Sequence, residues 1–259
     1  MGHVRVGRLP KRFGWQHVVA ALGSPDSTDH QVVQTAAAAA YRTLSQAKYQ
    51  DSLAFCYWLF VALADASRRQ SFPAELGALG ISIPQSNSGL SLVGAISDFA
   101  KSALPAPGPA TALDEIALHT FQSVVTNTVA QESQTLFGCT VETVQAAFRR
   151  FSTKAKVATL ARRFFSDYTY RALRHALERE LANSLAPQAV FQDSHDLTDF
   201  DGRLRSYCWD VSKIVQDYAA GWYSKRVWEG RLTLDDARGF TSYAVEKLLS
   251  ELASEESNP

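Results

Sequence analysis

Twelve consecutive residues, Leu53 to Ala64, carry no charge and lie between Asp51 and Asp65. A helical bilayer crossing takes about 20 apolar residues, so this stretch is too short to span a membrane. A helix that is apolar all round has to be surrounded by protein instead. The segment therefore predicts a core helix buried on most sides. The rest of the 259 residues supply material to cover it, including 14 Phe, 9 Tyr and 5 Trp, with 46% hydrophobic against 20% charged residues. Burying one large apolar side chain stabilises by about 1.5–3 kcal/mol. Such a chain folds without staples, as one large domain or two small ones.

The remainder reads as helix. Residues 1–14, broken by Gly2, Gly7, Pro10 and Gly14, form an extended basic arm, and 15–22 a short helix. Helices are expected over 29–48, where five alanines run from Ala36 to Ala40, and over 51–70, closed by Arg68 and Arg69. Pro73 starts a short one that ends near Gly77 or Gly80, and another covers 91–103. Further helices fit 112–136, 141–150 behind the cap Thr140, and 152–185. A long one runs from 193 to 227, before Gly230, and the last covers 234–253 behind Thr233, with Asp235 and Asp236 in its first turn. No stretch alternates as a strand does, so the expected fold class is all-α, a bundle of about nine to eleven helices. Pro105, Pro107 and Pro109 exclude helix. Residues 105–110 are thus the expected linker between an N-terminal helical subdomain, 15–104, and a C-terminal one, 111–254, followed by a polar tail, 255–259.

Formal net charge is zero, which argues against general nucleic-acid affinity. Cys56, Cys139 and Cys208 are odd in number, far apart and without a C-x-x-C pair, which fits a reducing cytosol. Cys56, inside the apolar run, reads as a small buried hydrophobe. The cations at the N-terminus are followed by no apolar signal region, and Val6 stands where myristoylation wants Ser or Thr. These features point to a soluble cytoplasmic protein with no membrane partner.

No P-loop, G-x-S-x-G, H-E-x-x-H or dinucleotide-binding glycine run is present, so no catalytic residue, metal or cofactor is assigned. Three stretches have the makings of docking surfaces. In the arm, Arg5, Arg8, Lys11 and Arg12 are interleaved with Val4, Val6 and Leu9, as suits a strand added to a partner, although a frayed terminus explains the cations equally. The second is Arg149, Arg150, Lys154, Lys156, Arg162, Arg163, Arg171 and Arg174, with only Asp167 between them. On a helical wheel Lys156, Arg163, Asp167 and Arg174 share one stripe. That face suits a phosphate backbone, an acidic partner, or the chain's own acidic region after 183, with its 13 Asp/Glu against 8 Lys/Arg. Residues 140–165 also have the outline of a helix-turn-helix, without the customary turn glycine.

The third stretch gathers Trp222, Tyr223, Lys225, Arg226 and Trp228, residue types that dominate interface hot spots. The alternative is that Trp222 and Trp228 anchor the last helix through Phe240 and Tyr243. The run Gly221 to Lys225, followed by Glu229-Gly230 and Ala237 to Phe240, resembles uncharacterised bacterial proteins, and no residue role follows from that. Asp193, His195, Asp196, Asp199 and Asp201 have the composition of a cation site but lack the EF-hand glycine and glutamate, and acids at a helix start also serve the dipole. His175, Glu178 and Glu180 fit a surface pair better than an acid–base site.

The leading expectation is a non-enzymatic interaction subunit, adaptor or scaffold, of a bacterial multiprotein system, phage defence being one setting, with a protein partner or a second copy bound. The alternatives are nucleic-acid binding by the 149–174 face, and a divergent helical enzyme whose site is assembled from distant residues.

Overall fold

The computed structural model describes residues 50–105, 111–132, 138–183, 194–230 and 232–254. The basic arm, the helices expected at 15–22 and 29–48, positions 106–110 and the tail lie outside the described residues. Nine α-helices follow one another among those described: α1 Gln50–Ala66, α2 Phe72–Ala78, α3 Gly89–Ser102, α4 Ala112–Glu132, α5 Val141–Arg150, α6 Lys154–Asn183, α7 Ser194–Val211, α8 Lys213–Trp228 and α9 Leu234–Ser254. They contain no strand, and a single bridge joins Ser88 to Thr140. No helix among them is long and apolar enough to cross a membrane.

The uncharged segment forms α1, and it is buried on all sides except at Trp58. Its aromatic side chains reach six other helices. The Tyr57 ring stacks on Phe240 of α9 at 4.8 Å, and meets Phe164 and Phe165 of α6 at 5.6 and 5.5 Å and Trp222 of α8 at 5.9 Å. Phe60 packs on Phe121 of α4 and Phe148 of α5, and Phe55 on Phe99 of α3. Offset and edge-on rings of this kind add about 0.5–1.5 kcal/mol per pair beyond their area. The partly exposed Trp58 donates its indole N–H to the carbonyl of Leu232, which ties α1 to the α8–α9 connection. Side chains from both sides of 105–110 enter one continuous apolar cluster.

Two polar devices fix the helix starts. Asp114, in the first turn of α4, is almost fully buried. Its Oδ1 accepts from the Ser52 hydroxyl at 2.6 Å, and its Oδ2 accepts from the backbone N–H and hydroxyl of Thr111 at 2.8 and 2.6 Å. The box that caps α4 is thereby pinned to α1. Ser88 and Thr140, the caps of α3 and α5, lie side by side, and Gly89 N–H donates to the Cys139 carbonyl at 2.8 Å. A Cβ on Gly89 would stand 2.3 Å from Cys139 Sγ and 2.6 Å from the Thr140 carbonyl oxygen, so only glycine permits this approach.

Two expectations are corrected. The helix expected over 193–227 is two helices, broken at Ser212. Val215 N–H bonds back three residues to the Ser212 carbonyl, and this tightened turn re-aims the chain so that both α7 and α8 lie along α6. The helix expected to reach 70 ends at Ala66, because the Ser67 hydroxyl bonds to the Ala64 carbonyl at 2.7 Å and competes with the helical ladder. Arg68 and Arg69 lie beyond that end and pair back to Asp65. Thr140 and Thr233 cap α5 and α9 as expected.

The Tyr57 hydroxyl is buried with no hydrogen-bond partner among the described residues. Tyr57→Phe should therefore keep or raise stability by up to about 1 kcal/mol, whereas Tyr57→Ala should cost about 3–5 kcal/mol. Urea unfolding of both variants checks this, and a loss above about 1 kcal/mol for Tyr57→Phe would mean that the hydroxyl has a partner. Gly89→Ala should cost about 1–3 kcal/mol by the clash described. Ser88→Ala, which removes only a cap, should cost about 1 kcal/mol in the same assay.

Candidate functional site

The basic helix, α6, is packed by α4, α7 and α8. Its cations meet the acidic region that follows it in sequence. Arg162 donates from Nε to the Trp209 carbonyl at 2.9 Å, lies over the Trp209 ring at 4.1 Å, and reaches Asp210 on α7 at 3.5 Å. Arg171 pairs with Asp167 at 2.7 Å, and Arg174 pairs with Asp201 of α7. Arg163 turns toward α4, where Nη1 lies 3.4 Å from the Gln131 side-chain oxygen. The stripe read from the helical wheel is thus divided among neighbours. Lys154 and Lys156, at the other end of α6, and Arg149 and Arg150, at the end of α5, are exposed.

Asp201 is the hub of the α6–α7 network. It accepts from the Tyr170 hydroxyl at 2.6 Å and from Arg205 Nε at 3.2 Å, and the Arg205 guanidinium lies over the Tyr170 ring, 3.8 Å from its centroid. Partial burial pushes the Asp201 carboxyl up, but the bonds from Tyr170 and Arg205 and the charges of Arg174 and Arg205 outweigh it and hold the group below its ordinary value. Burial and the bond to Asp201 raise the Tyr170 hydroxyl. Beside this network, α4, α6 and α7 line an open cavity of about 390 Å³.

The aromatic stretch at the end of α8 is split by its surroundings. Trp222 packs on Phe240 at 4.5 Å, as expected of an anchor for α9. Tyr223 is buried, its hydroxyl donating to the Ser152 carbonyl at 3.4 Å, and it lines the same cavity as Trp228. Arg226 is held by Glu229 at 3.1 Å and Asp236 at 3.2 Å, and Lys225 lies 4.0 Å from Glu229. Trp228 does not anchor α9: it is 87% exposed. It stands at a cavity of about 420 Å³, shared with Val227, Lys154, Thr153, Ser152 and Arg68. The start of the basic helix and the end of the aromatic stretch, separate in sequence, form one surface.

The arm residues Arg5, Arg8, Lys11 and Arg12 lie outside the described residues, as do Asp193 and the side chains of His195, Asp196, Glu178 and Glu180. Asp201 is engaged by Tyr170 and two arginines, and among the described residues no group of three His, Cys, Asp or Glu is placed to hold a metal. Burial raises the thiols of Cys56 and Cys208 well above their ordinary value, which makes them inert as nucleophiles. Sequence reading passed over Arg68, Tyr170, Arg205 and Trp209. The i,i+4 spacing of Asp201 and Arg205 was a signal for one of them, whereas Arg68 reaches its place only through the packing of α1.

Comparison with protein-family models, with curated proteins and with solved structures finds no match.

Because the folded-state value of Asp201 lies below its unfolded one, its network stabilises above the unfolded value and loses that contribution as pH falls through the folded one. Tyr170→Phe removes one donor. It should lower stability near pH 7, and the gap to the parent should narrow below about pH 4. Thermal unfolding from pH 7 to pH 3 checks the sign; a gap that widens in acid would refute it.

Proposed function

We propose that this protein is a non-enzymatic interaction subunit of a multiprotein system, and that it receives its partner at the junction of α1, α6 and α8. The observation that carries the reading is Trp228, a large aromatic side chain 87% exposed at the rim of a cation-lined cavity. A fully exposed indole forfeits the burial that would stabilise it by about 1.5–3 kcal/mol, and a partner's apolar side chain restores that. Val227 and Trp228 supply the apolar wall, and Arg68 and Lys154 the positive rim. A segment bearing an apolar anchor flanked by acids complements this surface in both respects.

The nucleic-acid reading has less support. Arg162, Arg171 and Arg174 are held by Asp210, Asp167 and Asp201, and three helices cover α6, which leaves little of it to lie in a groove. Nothing described favours the enzyme reading: His175 is exposed and does not line the cavity beside Asp201.

Purification of the natively expressed protein, with quantitative mass spectrometry of what accompanies it, tests the proposal. A stoichiometric protein partner is expected with the parent chain. Trp228→Ser should weaken that association by about 30- to 1,000-fold, the range for a buried tryptophan hot spot, with stability changed by less than about 0.5 kcal/mol. A lone monomer, or a partner indifferent to Trp228→Ser, would overturn the reading.

A further inference from the structure

The cavity between α4, α6 and α7 is a different place from the Trp228 surface, and nothing above uses it. Its volume, about 390 Å³, lies within the range of about 300–1,000 Å³ that holds small-molecule ligands. Its walls differ in chemistry. The α4 side is neutral and rich in hydrogen-bonding groups, with Asn127 and Thr128, while α6 and α7 bring Arg163 and Arg205.

The charge around it is unbalanced. The lining holds two guanidiniums, of Arg163 and Arg205, against one carboxylate, Asp167. Asp167 lines the cavity, but Arg171 occupies it at 2.7 Å. Neither lining arginine is used up. A guanidinium has five N–H donors. Among the described residues Arg163 spends one on a 3.4 Å contact with Gln131, and Arg205 gives Nε to Asp201 and Nη2 to the Tyr170 hydroxyl. Those same bonds hold Arg205 over the Tyr170 ring. The cavity is therefore lined by two arginines with unspent donors, Arg205 held by two hydrogen bonds and Arg163 by one contact, and such donors recognise a planar or tetrahedral oxyanion.

The rim adds a second element of recognition. Trp209 lines the cavity and is 37% exposed, with Arg162 over its ring at 4.1 Å. The indole that remains uncovered offers apolar surface next to the arginines. We propose that this cavity binds a small aromatic anion, a carboxylate or phosphate monoester carried on a planar ring, with Arg163 and Arg205 holding the anionic group and Trp209 packing against the ring.

Isothermal titration calorimetry on the full chain tests this with three probes: phenyl phosphate, benzoate and adenosine 5′-monophosphate. Saturable binding of at least one is expected, and the pattern among the three separates phosphate from carboxylate as the preferred group. Arg163→Gln should weaken that binding by about tenfold or more, and arginine's loss should be felt less by phenol, which carries the ring without the anion. Trp209→Leu should weaken phenyl phosphate more than inorganic phosphate. Trp228→Ser should leave all of it unchanged, which separates this cavity from the partner surface. Thermal unfolding shows whether each variant is folded; if Arg163→Gln is not, Arg205→Gln takes its place. No saturation by any probe up to about 10 mM, an affinity of only about 2.7 kcal/mol, or binding indifferent to both arginine variants, would overturn the proposal.

Discussion

The structure depends on one helix that is covered nearly all round, its outward side reduced to the line Asp51, Trp58 and Asp65. An ordinary amphipathic helix asks for cover along a single stripe, and a neighbour or two can supply it. Helix α1 asks for cover all round, and six helices meet it through Phe55, Tyr57 and Phe60. The other elements are arranged by that demand. Helix α9 stacks Phe240 on Tyr57, α8 brings Trp222 to the same ring, and α6 contributes the adjacent pair Phe164 and Phe165. Trp58, the position that is not closed over, uses its one polar atom to fasten the α8–α9 connection. The cavities lie outside this shell, along the sides and at the start of α6 that are turned away from the core.

Much of the helical framework was legible because its signals are local. Thr140 and Thr233 announced the starts of α5 and α9, and the flanking aspartates framed α1. Local signals also set the limits. No proline or glycine marks the break at Ser212, since the turn there is made by backbone hydrogen bonding and by the shared contact of α7 and α8 with α6. Ser67 ends α1 by a side-chain bond that a propensity argument does not register.

The sites were less legible than the fold, for a physical reason. A helical wheel places charges on a face but does not say what covers the face. Arg163 and Arg174 share a stripe on the wheel and yet turn to different partners, Gln131 on α4 and Asp201 on α7. The acidic excess after position 183 was visible as a candidate partner for the basic helix, and the pairs with Asp201 and Asp210 are of that kind. The junction of Lys154, Arg68 and Trp228 required three distant stretches to be folded first. Trp222 and Trp228, six residues apart and equivalent in composition, have opposite fates because one lies over Phe240 and the other over nothing described.

The wrapping of α1 also has a consequence in time. The helix is made well before one of its covers, α9: Asp51 pairs with Arg238 across 187 positions of chain. At a synthesis rate of about 5–20 residues per second, roughly 10–40 s separate the emergence of the two. During that interval an uncharged, aromatic-rich segment lacks the cover that α9 supplies, the stack of Phe240 on Tyr57 among it. It is the kind of exposed stretch that chaperones hold and that drives aggregation when they do not. The feature that organises the finished molecule is thus its chief hazard on the ribosome, and α9 brings that hazard to an end.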